Sequence, residues 1–344
     1  MNPFFIVGPT ATGKSEIAAE IACQLNGEIV NADAFQIYRG LDQLTAKPEK
    51  TILAKAPHHL LSAVPLSEAM NAEKFRAAAV EAIREIHARG KLAIVAGGSG
   101  LYIKALTHGL SPLPGVDPKL RAQLSELSLD ELHARLHELD PEGARKIDLK
   151  NRRRVMRALE ICLLSGKPAS EQRAQWAVAA SSFDSRKPSE LCEARGGQGG
   201  IRGDCASHSE AATVGAPTVG FFVFRERAEL YQRIDRRVKK MFAEGVVEEV
   251  RALRDRGSTA EKALGLREIR ALLAGEISET ECITKIQQAT RRYAKRQLTW
   301  FQRQDNFEPL DLSSHGYPAA IELIAQNARL AQTPKAFGVA QRDD

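Results

Sequence analysis

The sequence predicts an α/β protein: a three-layer domain with a parallel sheet, a helical insertion domain, and C-terminal helices. Three observations predict it. Short runs at Phe4–Val7, Glu28–Asn31 and Leu92–Ala96 have the length and apolar centres of buried strands. Segments with helical spacing alternate with those runs, which is the order of a parallel sheet. From Asp117 to Ser165 helical patterns follow one another with no strand between them.

The elements follow in order. Phe4-Phe5-Ile6-Val7 enters a glycine loop, and from Lys14 the residues Ile17, Ala18, Ile21, Ala22 and Leu25 recur at helical spacing. A second strand spans Glu28–Asn31. A helix runs from about Phe75 to Arg89, with Gly90 as its stop signal. The strand Leu92–Ala96 ends at Gly97-Gly98. Asp140-Pro141 and Gly143 punctuate the helical insertion, residues 117–175. Residues 176–218 form a Gly/Ser/Ala-rich insert with no helix or strand period, expected to be disordered. Val219–Phe224 reads as the last strand of the sheet. Helices then run from Arg227 to about Asp255 and from Ser278, a good N-cap, to Phe301. Residues 1–116 and 219–312 thus make the core. Residues 313–344 are expected to be a poorly ordered tail, with a turn at Ser314–Gly316 and a final helix over Ala319–Ala331.

Composition narrows the class. A chain that is 43% hydrophobic and 27% charged is an ordinary globular protein. No apolar stretch approaches a membrane span, and the N-terminus lacks a basic region followed by a long apolar one. Both observations point to the cytoplasm. Cys23, Cys162, Cys192, Cys205 and Cys282 include no CxxC pair, which argues against a zinc ribbon or a disulfide framework. The net charge of +6 hints at a polyanionic partner.

Chemistry concentrates in three places. Gly8-Pro9-Thr10-Ala11-Thr12-Gly13-Lys14-Ser15 fits G-x-x-x-x-G-K-[ST] at every fixed position, between a strand and a helix. Its glycines let backbone N–H groups converge on phosphate oxygens. Lys14 adds a cation, Ser15 a hydroxyl for Mg²⁺, and the helix its positive end. The domain is therefore P-loop NTPase-like, and the motif leaves open which phosphate compound binds. Asp33 follows the second strand, so it is a carboxylate at the same sheet edge. It can hold Mg²⁺, take a proton, or simply cap a turn. The strand Leu92–Ala96 ends in Gly97-Gly98-Ser99, where a nucleotide hydrolase would carry a second acid.

The third place is basic. Lys150, Arg152, Arg153, Arg154 and Arg157 fall within eight residues. Arg291, Arg292, Lys295 and Arg296 form two i,i+4 pairs with Tyr293, Trp300 and Phe301 among them. Such pairs repel unless an anion bridges them. A nucleic-acid backbone supplies that anion, and aromatics stack on bases. A solvated charged face with the aromatics in the core is the alternative.

Several segments in order resemble one family, the tRNA dimethylallyltransferases, also called tRNA isopentenyltransferases. The P-loop is one. Asp33-Ala34-Phe35-Gln36-Ile37-Tyr38 is similar to D-S-x-Q-x-Y, with Thr45-Ala46-Lys47-Pro48 after it. Gly97-Gly98-Ser99-Gly100-Leu101-Tyr102 is similar to GG-[TS]-x-L-Y, and Arg154–Glu160 to R-x-x-R-A-L-E. Arg227–Arg233 resembles R-x-x-L-Y-x-R, and Thr290–Phe301 resembles the family's C-terminal signature. The resemblance covers about residues 4–305 apart from the insert. It departs at Ala34, where Ser is usual, at Leu266, where Tyr is usual, and at Ser99, where Thr is commoner.

The resemblance implies a prenyl transfer. N6 of the adenine at tRNA position 37, just 3′ of the anticodon, attacks dimethylallyl diphosphate, and diphosphate leaves. A P-loop that holds a leaving diphosphate does not need the acid for γ-phosphate hydrolysis. Asp33 would take the amino proton. Lys14, Mg²⁺ on Ser15, and Arg227 would stabilise the leaving group. The tRNA anticodon arm would lie on Asp33, Ala34, Phe35, Gln36, Ser99, Arg121, Lys150, Asn151, Arg152, Arg153, Arg154, Arg157, Arg267, Arg291, Arg292, Lys295 and Arg296. The target base must leave its stack to reach the site. A monomer is expected. Three other readings stay open: a small-metabolite kinase, a prenyltransferase of free adenine nucleotides, and a non-catalytic RNA-binding protein.

Overall fold

The computed structural model describes residues 2–110, 113–172, 220–253 and 259–332. In chain order its elements are β1 (Phe4–Val7), α1 (Lys14–Gln24), β2 (Gly27–Asn31), α2 (Lys50–Leu53), β3 (His58–His59), α3 (Ala72–Ala88), β4 (Leu92–Gly97), α4 (Gly100–His108), α5 (Pro118–Glu126), α6 (Leu129–Leu139), α7 (Pro141–Lys146), α8 (Arg152–Ser165), β5 (Gly220–Phe224), α9 (Arg227–Ala243), α10 (Val246–Ala252), α11 (Leu266–Leu273), α12 (Glu279–Phe301), β6 (Glu308–Asp311), α13 (Leu312–His315) and α14 (Tyr317–Gln332). They fall into two compact units, divided within α4 after Ile103.

The first unit holds a six-stranded sheet in the order β3-β2-β4-β1-β5-β6. Every pairing is parallel. Phe4 pairs with Ile94, Gly27 with Leu92 and Phe221 with Glu308. All four residues of β1 are buried, so the strand reads as a continuous apolar run. Alternate residues still serve different faces. Phe4, Ile6, Ile94, Phe221 and Val223 pack with Ile17 and Ile21 of α1 and Ile324 of α14. On the other face, Phe222 stacks on Phe301 of α12 at 5.4 Å, and Phe5 meets Phe307 at 5.9 Å. Burying each such ring contributes about 2–3 kcal/mol.

This strand order positions the site. β2, β4 and β1 are neighbours, so the turns that follow them share one sheet edge. Ala32 N–H donates to the Ala96 carbonyl at 2.8 Å, and Gly8 N–H to the Gly97 carbonyl at 3.2 Å.

The second unit is helical. Asp117 caps α5, Ser128 and Glu131 form a capping box on α6, and Asp140 accepts from Gly143 N–H at the start of α7. Leu124, Leu132, Leu136, Val155, Leu159 and Ile161 make its core. Two carboxylates lie inside: Asp140 takes hydrogen bonds from Gly143 and Ser170, and the fully buried Glu160 takes hydrogen bonds from Arg121 and Arg157.

Four expectations change. Val219–Phe224 is not the last strand, because β6 pairs outside it. That strand has one buried residue, Leu310, and includes Pro309, which only an edge tolerates. The tail is ordered through Gln332: α13 and α14 cover it, and Ala320, Ile324 and Ala328 reach the core. A helix through Asp255 is instead two helices, broken at Gly245 with φ 89°, a left-handed value that suits glycine. The helical unit starts within α4 rather than at 117. The insert 176–218 and residues 333–344 lie outside the described residues.

Candidate active site

Gly8–Ser15 connects β1 to α1. Gly13 ends the loop with φ 99°, which an L side chain resists. Lys14 Nζ donates to the Pro9 carbonyl at 3.2 Å, and Thr12 Oγ1 to the same oxygen at 3.0 Å. Desolvation lowers the Lys14 pKa to about 8, with Asp33 opposing the shift and Arg237 adding to it.

The outside of the loop is held by side chains from far along the chain. Arg225 Nε donates to the Thr12 carbonyl and Arg233 Nε to the Ala11 carbonyl, both at 2.8 Å. Arg237 Nη1 donates to Thr10 Oγ1 at 2.9 Å, and Gln297 Oε1 accepts Thr10 N–H at 2.9 Å. Ala11 sits at φ 65°, where a non-glycine residue costs about 1–2 kcal/mol. The Arg233 bond fixes that carbonyl.

A cavity of about 410 Å³ opens on the loop. Lys14, Ser15, Asp33, Arg233, Arg237 and Lys240 are among its lining residues. Asp33 Oδ1 accepts Phe35 N–H at 2.9 Å and Gln36 N–H at 3.2 Å, which fixes the carboxylate. Ser99 Oγ accepts Ala34 N–H at 2.9 Å. Burial pushes the phenol of Tyr293 well above its ordinary pKa, with the Asp33 charge adding to the shift and the Ser99 side chain opposing it. Gln36 Nε2 donates to the Thr45 and Ala46 carbonyls at 3.1 Å each, and Arg237 Nη2 reaches the same two oxygens. Glu249 accepts Gln43 and Leu44 N–H from the other side. The segment after Asp33 is thus a braced wall.

The predicted residues divide. Lys14, Ser15, Asp33 and Gln36 line the cavity; Ala34, Phe35 and Ser99 adjoin Asp33. Arg227 is not in the lining: it is exposed, over the ring of Tyr231. One turn of helix places residues four apart on one side, so Arg233 and Arg237 reach the loop and Arg227 does not. In the C-terminal cluster, Arg291 pairs with Asp235 and Arg296 lies over Tyr293, while Arg292 and Lys295 are exposed. Phe301 belongs to the core, and Leu266, where the resemblance expects Tyr, is buried. The Arg267 side chain is 92% exposed. In the second unit, Asn151 caps α8 and Arg152 binds the Ser125 carbonyl at 2.8 Å. Lys150, Arg153 and Arg154 are exposed.

Sequence reasoning missed Arg225, Arg233, Arg237 and Gln297. A signal was available for two of them. Arg233 and Arg237 are an i,i+4 like-charge pair, as are Arg236 and Lys240, and all four line the cavity.

The IPP transferase family model matches residues 36–304. A tRNA dimethylallyltransferase of Akkermansia muciniphila is 41% identical over 317 residues, covering 92% of this chain and 96% of that protein. The full-length tRNA isopentenylpyrophosphate transferase of Bacillus halodurans superposes with a TM-score of 0.63 at 30% identity, covering 96% of each chain. A eukaryotic dimethylallyltransferase acting on tRNA shares the fold, with a TM-score of 0.73 at 24% identity over 97% of this chain and 80% of that one.

Proposed function

The chain belongs to the IPP transferase family, and we infer from its site the reaction that it carries out. It transfers a dimethylallyl group from dimethylallyl diphosphate to N6 of the adenine at tRNA position 37 and releases diphosphate. One observation carries this reading: a phosphate-binding loop and a fixed carboxylate, Asp33, face one cavity. The first suits the leaving group and the second the nucleophile.

The roles follow from the chemistry. N6 forms a bond to the allylic carbon as the carbon–oxygen bond breaks, and the electron pair leaves on diphosphate. Asp33 takes the proton from N6. The loop N–H groups, Lys14, Arg233 and Arg237 stabilise the charge that develops on diphosphate. This role passes from Arg227 to the arginines in the cavity wall. A Mg²⁺ ion fits the donors present. The Ser15 hydroxyl is a hard oxygen ligand, and the Asp33 carboxylate is kept for the proton. No group of three acidic, His or Cys residues forms a metal cage among the described residues, so the remaining ligands would be diphosphate oxygens and water. When bound, the ion supplies further charge stabilisation. We propose that the protein acts as a monomer and place the reaction in the cytoplasm. No described helix is long and apolar enough to cross a membrane.

Labelled dimethylallyl diphosphate, Mg²⁺ and a tRNA bearing adenine at that position test the reading. Label should pass to that base. Asp33→Asn should cut turnover by about two orders of magnitude or more while tRNA binding survives. Folded wild-type protein that transfers no label would refute the reaction. Near-normal turnover by Asp33→Asn would remove Asp33 as the base.

A further inference from the structure

Gln297 lies on α12, between the basic residues Lys295 and Arg296 and the aromatic pair Trp300 and Phe301. Its side chain is buried, and both ends of its amide are used. Oε1 accepts Thr10 N–H at 2.9 Å, and Nε2 donates to the Gly98 carbonyl at 2.8 Å. The amide orientation follows from these partners, since the reverse would oppose two donors and two acceptors. One side chain thus joins the phosphate loop after β1 to the turn after β4.

Two glycines make the approach possible. A Cβ at Gly98 would lie 2.4 Å from Gln297 Nε2, and one at Gly100 2.6 Å from the Trp300 ring. Thr10 is gripped twice: its N–H is turned to Gln297, and Arg237 holds its hydroxyl. Four residues before Gln297, Tyr293 lies near enough to Asp33 and Ser99 for both to act on its phenol, and the Ser99 hydroxyl accepts the N–H next to Asp33. α12 therefore touches the loop, the glycine turn and the Asp33 segment from a single face.

We propose that Gln297 is a positioning residue for the transfer. It fixes the loop through Thr10 and registers it against the Gly98–Ser99 turn. The loop's remaining N–H groups are then arranged for diphosphate before the ligand arrives. Such preorganisation lowers the reorganisation that binding would otherwise require. The proposal rests on the reading of the loop as the diphosphate site.

Two variants of the full-length chain test it. Gln297→Met keeps the length of the side chain and removes both hydrogen bonds. It should raise the KM for dimethylallyl diphosphate, and the Kd of inorganic pyrophosphate with Mg²⁺, by about tenfold. Affinity for tRNA should stay within about twofold of wild type, because no RNA-facing charge changes. A residue that only holds the fold together would lower Tm and leave both constants alone. Gln297→Glu adds a pH signature. A neutral carboxylic acid reproduces the amide, with its carbonyl oxygen accepting Thr10 N–H and its O–H donating to Gly98. The ionised form cannot make the second bond, and burial raises its pKa. The excess of its KM over wild type should therefore shrink as pH falls from about 8 to about 6. Wild-type constants in both variants, or a Gln297→Glu ratio that is flat with pH, would overturn the proposal. If Gln297→Met does not fold, the pH profile of Gln297→Glu decides alone. Wild-type protein that neither binds pyrophosphate nor transfers the prenyl group would overturn the diphosphate reading and the proposal with it. Normal wild-type values with unaffected variants would overturn the proposal only.

Discussion

Lys14 and Glu28 lie at opposite ends of the same parallel sheet, the first half-buried and the second buried. Glu28, on β2, is 3% exposed. His59 Nε2 at 2.7 Å, Arg89 Nη2 at 2.6 Å and Lys91 Nζ at 2.9 Å surround its carboxylate. Burial raises its pKa, but hydrogen bonds from Arg89, His59 and Lys91 outweigh burial and hold it at about 2. Lys14 faces a cavity and among the described residues donates only to a backbone carbonyl, that of Pro9, and desolvation wins, lowering it to about 8. A charge that serves the fold brings its partners with it. A charge that serves binding leaves part of its complement to the ligand, which in the proposed reaction is a diphosphate.

The largest effect in this contrast belongs to the satisfied charge. Glu28→Gln leaves the cations Arg89 and Lys91 without their shared carboxylate, and should destabilise the fold on the order of 3 kcal/mol at neutral pH. The pH dependence has a definite sign. The folded pKa of Glu28 is about 2, against 4.5 for the unreacted group. Its contribution is therefore complete above 4.5 and is lost as pH falls from 4.5 through about 2. Denaturant melts of wild type and Glu28→Gln should converge over that window. A gap that stays constant down to the lowest pH would mean that the carboxylate does not carry the effect.

Next is the unsatisfied end. Arg237→Lys keeps a cation but loses the fork that reaches Thr10, Thr45 and Ala46 together. It should lower kcat/KM for dimethylallyl diphosphate by about tenfold. Arg227→Lys, an exposed change over Tyr231, should stay within about twofold. Reversed magnitudes would return Arg227 to the leaving group and reduce Arg237 to a brace.

These two ends also show how far the sequence could be read. The loop Gly8–Ser15, Asp33 and the strands behind them were legible because each is a local pattern: a fixed spacing, a short apolar run, a polar residue at a strand end. Arg225 and Gln297 were not, and Arg233 and Arg237 showed only as an i,i+4 charge pair, because the partners of all four are more than 200 residues away in sequence. β3 has two residues and β6 one buried position, too little for a period to show. The helix α14 was placed nearly right, over Ala319–Ala331, but its value to the core was not. Its buried Ala320, Ala325 and Ala328 carry little hydrophobic weight in a sequence and much in a closely packed layer.

The same contrast applies within the second unit, where the expected effect is smallest. Seven of its residues were read from sequence as one tRNA-binding group, yet they are not alike. Arg121 and Arg157 hold the buried Glu160, and Arg152 closes the carbonyl end of α5 at Ser125. Arg153 and Arg154 are exposed, and no ion pair is formed by either among the described residues. By the logic of Lys14, these two await an anion. The double change Arg153→Ala with Arg154→Ala should weaken tRNA binding a few-fold and reduce the salt slope by about one to two, with Tm unchanged. Arg121→Ala should do the reverse, because it leaves a buried carboxylate with Arg157 alone: Tm falls, and the salt slope changes by less than about one. A salt slope that drops equally in both variants would show that satisfied and unsatisfied arginines bind RNA alike, and the distinction between the two kinds of charge would not extend to this surface.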